Sequence, residues 1–227
     1  MPRVGVPVQI GLIETIRARR GRLPWLARHF ARLRASLAAL GAPDPPADLA
    51  DLVRFAVGAG DRVVRLEVIG GHAEITTREV NTEHAVSIVV SREIHRPYPH
   101  KTTRRDQFGR ALAGARRSGA SDGLLVTAEG FVAEGTAWNL FWWEKGQLCT
   151  PAAALGILPG LGRERVMTLA DVTEQQVAVA AIARRSLFLV NAVRGIVEIA
   201  AFEGKAVPAD PRTAELAASF WPVGDQD

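Results

Sequence analysis

The chain has 227 residues, of which 48% are hydrophobic and 23% are charged, which is typical of a globular protein with a sizeable core. Its single cysteine excludes a disulfide framework and leaves no cysteine and histidine pattern for a metal site. There is no run of eighteen apolar residues and no export leader, so we expect a soluble, cytoplasmic protein without a membrane partner. The net charge of +4 suits an anionic small molecule better than nucleic acid, because the arginines are interspersed with acids.

The first part of the chain alternates between strand and helix patterns. Alternating apolar residues predict a strand over Val8–Arg17, which ends at an Arg20-Gly21 turn. Apolar spacings of four and three predict a helix over Trp25–Leu40 that stops at Gly41. The later elements are a helix, a hairpin and a strand, predicted over Pro46–Val57, Arg62–Ile69 with His72–Glu79, and Ala85–Ser91. Two prolines make Glu93–Thr103 irregular, and we interpret it as an interdomain linker.

The second part repeats the mixed pattern without internal repeats. A helix is predicted over Arg105–Arg117, and Leu158-Pro159-Gly160-Leu161-Gly162 leads into another that runs to about Ala170. Strands are predicted over Gly123–Thr127, Phe131–Trp143, Ser186–Asn191 and Ile196–Ala201. The Phe131–Trp143 strand is interrupted at Glu134-Gly135-Thr136. We therefore predict a small amino-terminal domain at 1–92, a linker at 93–100 and a larger domain at 101–227.

Lysine is scarce, because only Lys101, Lys145 and Lys205 occur among the 28 basic residues. The last two stand in turn-like segments, whereas Lys101 stands between a strand-rich half and a helical stretch. A lysine amine can form a Schiff base, which arginine cannot do. Lys101 is therefore a candidate for covalent chemistry, and the alternative is a surface lysine.

Glu134 lies within an otherwise apolar segment, where a carboxylate is costly unless it has a partner. One suitable partner is a pyridinium nitrogen, because an ionised carboxylate keeps that nitrogen protonated. The alternative is an acid at a sheet edge that pairs with a nearby arginine.

Three elements could bind a phosphate group. Pro159-Gly160-Leu161-Gly162-Arg163 opens a helix, where backbone amides face an anion at the positive end of the dipole. Asn191-Ala192-Val193-Arg194-Gly195 is a second turn of small residues, at the end of an apolar strand. Arg32 shares a helix face with His29 and Ser36; a solvated face is the ordinary interpretation, but Arg32 could reach a phosphate.

Taken in order, these segments resemble the class IV aminotransferase family of pyridoxal 5'-phosphate (PLP) enzymes, from Gly11 to about Ile199. The resemblance implies an α+β, two-domain fold of fold type IV, with a small α/β domain followed by a larger, mixed α/β, barrel-like domain. It implies PLP as the cofactor, Lys101 as the Schiff-base lysine and Glu134 as the acid on the ring nitrogen. The implied phosphate ligands are Arg32 and the amides of Leu161, Gly162, Ala192 and Val193.

Two departures from the family pattern indicate which subfamily the chain resembles. The stretch after Lys101 has no tyrosine, and Asn191-Ala192 replaces a turn that commonly contains threonine. Both features look more like 4-amino-4-deoxychorismate lyases than branched-chain or D-amino-acid aminotransferases. The family's amino terminus is longer, and position 162 is often threonine. The resemblance thus implies release of pyruvate and 4-aminobenzoate from 4-amino-4-deoxychorismate, a step of folate biosynthesis.

Two alternatives remain open: an aminotransferase that acts on branched-chain or D-amino acids, and a binding protein without catalysis. In each enzyme reading the substrate is a small, anionic, amino-acid-like molecule. Arg105 and Arg194 are candidates for its carboxylates, with surface charge as the alternative for each. The resemblance also implies a homodimer. The adjacent Trp142 and Trp143 favour one, because neighbouring residues on a strand face opposite sides and both cannot easily enter one small core.

Overall fold

A computed structural model describes residues 10–81 and 86–222. The chain divides into two compact units. The first contains the residues up to Glu79 together with Lys101–Arg104, and the second contains Val80–His100 and the residues from Arg105 onward. The predicted domain boundary at residue 92 differs from this grouping. The strand that follows residue 85 pairs with two strands of the second unit, so it belongs to the later sheet.

The first unit is a three-stranded antiparallel sheet with two helices. Its strands, in the spatial order β1-β2-β3, are β1 (Leu12–Ala18), β2 (Arg62–Ile69) and β3 (His72–Arg78). The helices between β1 and β2 are α1 (Leu26–Leu40) and α2 (Leu49–Val57). Leucines spaced along one face of α1 pack with apolar residues of β1 and β2 into a single core. Gly41 ends α1 in the left-handed conformation at φ 60°, which glycine adopts without steric cost.

The second unit contains a mixed eight-stranded sheet. Seven strands lie in the order β5-β4-β10-β9-β6-β7-β8, and the two-residue β11 (Lys205–Ala206) pairs with β10. The seven are β4 (Val86–Ile94), β5 (Asp122–Val126), β6 (Asn139–Glu144), β7 (Gln147–Pro151), β8 (Val172–Gln175), β9 (Ser186–Asn191) and β10 (Gly195–Phe202). The helices are α3 (Asp106–Arg117), α4 (Leu161–Leu169), α5 (Val179–Ile182) and α6 (Pro211–Ser219).

Two parts of this sheet position residues of the candidate site. The parallel strands β4 and β5 are joined through α3, whose Phe108, Ala111 and Ala115 are buried. The antiparallel strands β6 and β9 are largely buried where they pair, around Leu140, Trp142, Leu187 and Leu189. Because β9 ends at Asn191, the turn that follows it stands at the end of a central strand of the sheet.

Most predicted elements are confirmed, with ends that match or are shifted by up to three residues: α1, α2, the β2–β3 hairpin, α3, β5, α4, β9 and β10. Residues 8, 9 and 85 of the predicted strands lie outside the described residues. The single strand predicted over Phe131–Trp143 is wrong in its first half, where only isolated bridges form before β6 begins at Asn139. The Glu93–Thr103 segment is also more regular than predicted, because β4 continues to Ile94.

The argument from Trp142 and Trp143 for an interface is wrong. Trp142 is fully buried in the core of its own chain. The indole nitrogen of Trp143 donates to the Thr213 hydroxyl at 2.9 Å, and the guanidinium of Arg212 lies 3.9 Å from the Trp143 ring centroid. Helix α6, absent from the sequence expectation, supplies the cover for the second side of this strand.

Candidate active site

In the first unit, a buried carboxylate lies between β1 and α1. Glu14 occupies the same face of β1 as the core residues Leu12 and Ile16, and is 1% exposed. Its Oε1 accepts a hydrogen bond from Arg32 Nε at 2.8 Å, and its Oε2 accepts one from Arg32 Nη2 at 2.5 Å. His29 Nδ1, also on α1, lies 2.7 Å from Glu14 Oε2. The alternative interpretation of this face of α1 as solvated is therefore wrong, since His29 is fully buried.

The protonation states in this cluster follow from the burial of its side chains and from the contacts between them. Burial alone would raise the pKa of Glu14, but Arg32 and His29 outweigh it and lower the pKa from 4.5 to about 2. Burial lowers the pKa of His29, against the opposing influence of Glu14, and the positive charges of Arg32 and Lys101 lower it further. His29 is therefore a neutral imidazole that donates its Nδ1 proton to an ionised carboxylate.

Lys101 belongs to the same unit as this cluster. Its carbonyl accepts a hydrogen bond from the Ile13 amide at 2.7 Å, and the Thr103 amide donates to the Gly11 carbonyl at 2.8 Å. Residues 101–103 are thereby attached to the edge of β1 in the antiparallel sense. The backbone of the candidate Schiff-base lysine is thus fixed beside the strand that carries Glu14.

In the second unit, Glu134 is buried, with an exposed fraction of 3%. Its Oε1 lies 3.0 Å from His95 Nε2, and the Leu158 amide lies 3.2 and 3.3 Å from its two carboxyl oxygens. Its backbone is fixed as well, because the Leu125 amide donates to the Glu134 carbonyl at 2.9 Å. An imidazole N–H and a backbone amide each stabilise the ionised form of a carboxyl group by donating a hydrogen bond to it.

The Glu134-Gly135-Thr136 segment has a second buried support. Asp122 Oδ1 accepts hydrogen bonds from the amides of Gly123 at 2.6 Å and Thr136 at 3.2 Å. Burial raises the pKa of Asp122, although these bonds act in the opposite direction. Arg105 Nη2 donates to the Thr136 carbonyl at 2.6 Å. The interruption seen in the sequence is thus a segment held by β5 and by the residue that precedes α3.

The predicted glycine-rich helix start is confirmed, since α4 begins at Leu161 with Gly160 as its N-cap. The amides of Leu161 and Gly162 lie in the first helical turn, where backbone N–H groups have no acceptor within the helix. A Cβ atom on Gly162 would stand 2.8 Å from the Asn191 carbonyl carbon and 2.9 Å from its Cα. The start of α4 therefore packs directly on the end of β9, and this contact requires glycine.

The second turn is organised by its own asparagine. Asn191 Oδ1 accepts hydrogen bonds from the amides of Val193 at 3.0 Å and Arg194 at 2.8 Å. This Asx turn satisfies two backbone amides with a single side-chain oxygen. The Val193 amide thus already has an acceptor in this structure, which weakens its assignment as a phosphate ligand relative to that of Ala192.

The two arginines proposed for substrate carboxylates differ in their surroundings. Arg105 is engaged within its own unit, because its guanidinium lies 4.8 Å from the Phe108 ring centroid and bonds to the Thr136 carbonyl. The guanidinium of Arg194 lies 5.2 Å from the ring centroid of Trp138, which follows the Glu134 segment. Arg194 therefore forms part of an aromatic and cationic surface at the turn after β9.

Sequence reasoning missed three residues of these clusters. Glu14 and His29 lie in the predicted first strand and first helix without an assigned role, because their burial depends on the packing of α1 onto β1. His95 stood in the presumed linker, and its approach to Glu134 depends on the Val126 carbonyl, which accepts from the His95 amide at 2.8 Å. A histidine at the end of an apolar strand was the one available signal.

Comparison with known proteins places the chain in a family. Residues 11–202 match the family model described as amino-transferase class IV, so the chain belongs to the class IV aminotransferases, which are PLP-dependent enzymes. Over 79 residues it is 34% identical to the branched-chain-amino-acid aminotransferase of Escherichia coli strain K12. That match covers 35% of this chain and only 26% of the relative.

Solved structures agree with this fold. A protein of Legionella pneumophila, assigned provisionally as a 4-amino-4-deoxychorismate lyase, superimposes with a TM-score of 0.86 at 22% identity, covering 96% of each chain. The holo, PLP form of a branched-chain amino acid aminotransferase from Thermobaculum terrenum gives a TM-score of 0.81 at 23% identity, covering 92% of this chain and 83% of the other. The predicted fold type IV is confirmed by these likenesses.

The residues of each unit suit PLP chemically. The second unit offers a buried carboxylate for a ring nitrogen and a helix start with first-turn amides for an anion. The first offers an arginine oriented by a buried carboxylate, and a lysine with a fixed backbone. None of the helices within residues 10–81 and 86–222 has the length and apolar character that a bilayer span requires.

Proposed function

We propose that this chain is a PLP-dependent lyase that releases pyruvate and 4-aminobenzoate from 4-amino-4-deoxychorismate. The observation that carries the proposal is the turn after β9. Its Asn191 side chain accepts from two backbone amides, and its backbone packs on Gly162 at the start of α4. The Asn191-Ala192 turn thus departs from the threonine turn common in branched-chain and D-amino-acid aminotransferases, which favours the lyase resemblance.

The surface formed by Arg194 and Trp138 supports the same substrate class. A ring that bears carboxylates can stack on an indole while a guanidinium binds its negative charge. A branched-chain amino acid offers the guanidinium only its α-carboxylate and has no ring to stack on the indole, because its side chain is small and aliphatic. We therefore assign Arg194 to a substrate carboxylate, and we retain Arg105 as a weaker candidate because it already bonds to the Thr136 carbonyl.

In this proposal each residue has a defined task. PLP, when bound, supplies an electron sink for the electrons released at the substrate carbon. Lys101 would hold the cofactor covalently, and its Nζ, once released by the substrate amine, would move the proton at that carbon. Glu134 keeps a proton on the ring nitrogen. Arg32 and the amides of Leu161, Gly162 and Ala192 bind the phosphate, and the Val193 amide is a weaker candidate because it already donates to Asn191 Oδ1.

The second candidate is a class IV aminotransferase acting on branched-chain or D-amino acids. Its support is the 79-residue similarity to the E. coli aminotransferase named above. The two activities share their cofactor chemistry and differ in whether the cofactor returns to its aldehyde form without a second substrate.

The deciding experiment follows from this difference. Purified protein is given 4-amino-4-deoxychorismate without any 2-oxo acid, and pyruvate and 4-aminobenzoate are measured over many turnovers. A lyase releases both in equal amounts, and Lys101→Ala removes the reaction while Lys145→Ala leaves it intact. In parallel, leucine, glutamate and D-alanine are tested for conversion of the cofactor to its pyridoxamine form. Rapid conversion that 2-oxoglutarate or pyruvate reverses would establish the aminotransferase instead.

A homodimer and a place in folate biosynthesis accompany the lyase proposal. The first comes from the resemblance to the family, and the second from the product, 4-aminobenzoate. The structure adds that Trp142 is buried in its own chain and that Trp143 contacts Thr213 and Arg212, so this pair gives no support for a dimer interface.

A further inference from the structure

Glu14 and His29 are buried, polar and outside the chemical steps described above. A carboxylate that is 1% exposed requires compensation, because desolvation of an ionised group is costly. A simple role in folding would be served by one counter-ion near the carboxylate. The arrangement around Glu14 is more specific than that.

Each hydrogen bond of this cluster fixes the orientation of a side chain. The two bonds from Arg32 Nε and Nη2, at 2.8 and 2.5 Å, form a fork that sets the plane of the guanidinium. The bond from His29 Nδ1 at 2.7 Å sets the rotation of the carboxylate itself. Since Glu14 is on β1 while His29 and Arg32 are on α1, the guanidinium is oriented relative to the sheet and not only to its own helix.

We propose that Glu14 and His29 are positioning residues that orient Arg32 for the phosphate group of the cofactor, and that this orientation makes the protein select phosphorylated over unphosphorylated vitamin B6 compounds. The inference rests on the proposed assignment of Arg32 to the phosphate. Arginine binds phosphate through a planar fork, so a tilt of the guanidinium weakens that bond even when its charge is unchanged.

Glu14→Asp separates a positioning role from a structural one. Aspartate preserves the buried negative charge and a partner for Arg32, but withdraws the carboxylate by one methylene group toward β1. Charge compensation therefore persists while the guanidinium plane is no longer held in place. Glu14→Gln is the more disruptive companion, because it leaves Arg32 without a charged partner. His29→Asn retains a donor near the Nδ1 position, whereas His29→Leu removes it.

The test uses pyridoxamine 5'-phosphate and pyridoxamine, which bind without a covalent bond to Lys101. Their dissociation constants are measured by calorimetry on the cofactor-free full chain. The dissociation constant of pyridoxamine divided by that of pyridoxamine 5'-phosphate reports the phosphate contribution. Glu67→Gln is the matched control, because Glu67 also pairs with an arginine, Arg65, at 2.7 Å, on the exposed part of the same unit. Circular dichroism and thermal unfolding establish that each variant is folded.

We expect Glu14→Asp and His29→Leu to lower the ratio about tenfold, with His29→Asn and Glu67→Gln near wild type. A folded Glu14→Asp protein with the wild-type ratio would overturn the positioning role, whatever happens to Glu14→Gln. A wild-type protein that binds both compounds equally would instead contradict the proposed function, because it would have no phosphate site for Arg32 to serve.

Discussion

The backbone of Gly162 at the start of α4 lies against the backbone of Asn191 at the end of β9, so closely that a Cβ on Gly162 would be 2.8 Å from the Asn191 carbonyl carbon. Two candidate phosphate elements are therefore one rigid unit of structure. The contact explains why threonine, frequent at this position in the family, is absent here: its side chain has no space unless the helix moves.

Gly162→Ala should push the start of α4 away from β9. We expect the melting temperature to fall and the affinity for PLP to drop by about tenfold, because misplaced amides bind the phosphate poorly. Thermal unfolding and equilibrium titration of PLP measure these effects. Gly109→Ala, in α3, is the control, because no atom lies within 4 Å of its Cβ position. Equal behaviour of the two variants would refute the tight contact.

Borohydride reduction of the purified, cofactor-bound protein should attach PLP to Lys101. The amine of that residue is proposed to hold the cofactor, whereas Lys145 lies in the tight turn between β6 and β7 and Lys205 in β11. Peptide mapping by mass spectrometry locates the adduct. An adduct on Lys145 or Lys205 would remove Lys101 from the site.

Glu134→Gln should bind PLP and lose turnover by orders of magnitude. Glutamine retains the volume and can accept from His95 and the Leu158 amide, but it lacks the charge that keeps the ring nitrogen protonated. Cofactor content and turnover are measured on the same preparation. Near-normal turnover in a fully loaded variant would mean that Glu134 has a structural role.

Acidification should destabilise the first unit in two steps. The His29 pKa is lowered in the native protein, so the unfolded chain binds a proton first and stability declines as the pH falls below about 6.5. The Glu14 pKa is lowered from 4.5 to about 2, so its contribution is present above pH 4.5 and is lost progressively toward pH 2. Urea unfolding at a series of pH values measures both.

The variants identify each step. His29→Asn should flatten the decline below pH 6.5 and leave the lower step in place, whereas Glu14→Gln should remove the lower one. His72→Asn, on the exposed face of β3, is the control and should change neither. A wild-type pH profile in His29→Asn would show that this imidazole is not neutral in the folded state.

Sedimentation at micromolar concentration should show a homodimer of the cofactor-bound protein. The expectation comes from the family resemblance. A fully active monomer would contradict it.

Much of the fold could be predicted from the sequence because local residue patterns determine many of its helices and strands. The leucine spacing of α1 and the Gly70-Gly71 turn between β2 and β3 needed no tertiary information. Residues of the candidate site could be predicted only where a side chain was unusual for its surroundings, as with the carboxylate of Glu134 in an apolar segment. Residues whose importance comes from contacts between distant elements were missed. Glu14 meets Arg32 and His29 across 15 to 18 residues, and His95 meets Glu134 across 39.

The attachment of residues 101–104 to the edge of β1 makes the first unit discontinuous along the chain. During synthesis on the ribosome, the amino-terminal sheet emerges early, but its candidate nucleophile arrives only after β4 has been translated. A truncated chain that ends before residue 100 would keep all three strands and lack the one amine that defines the proposed chemistry. For split-protein or domain-swap engineering, the cut must therefore fall after Arg104.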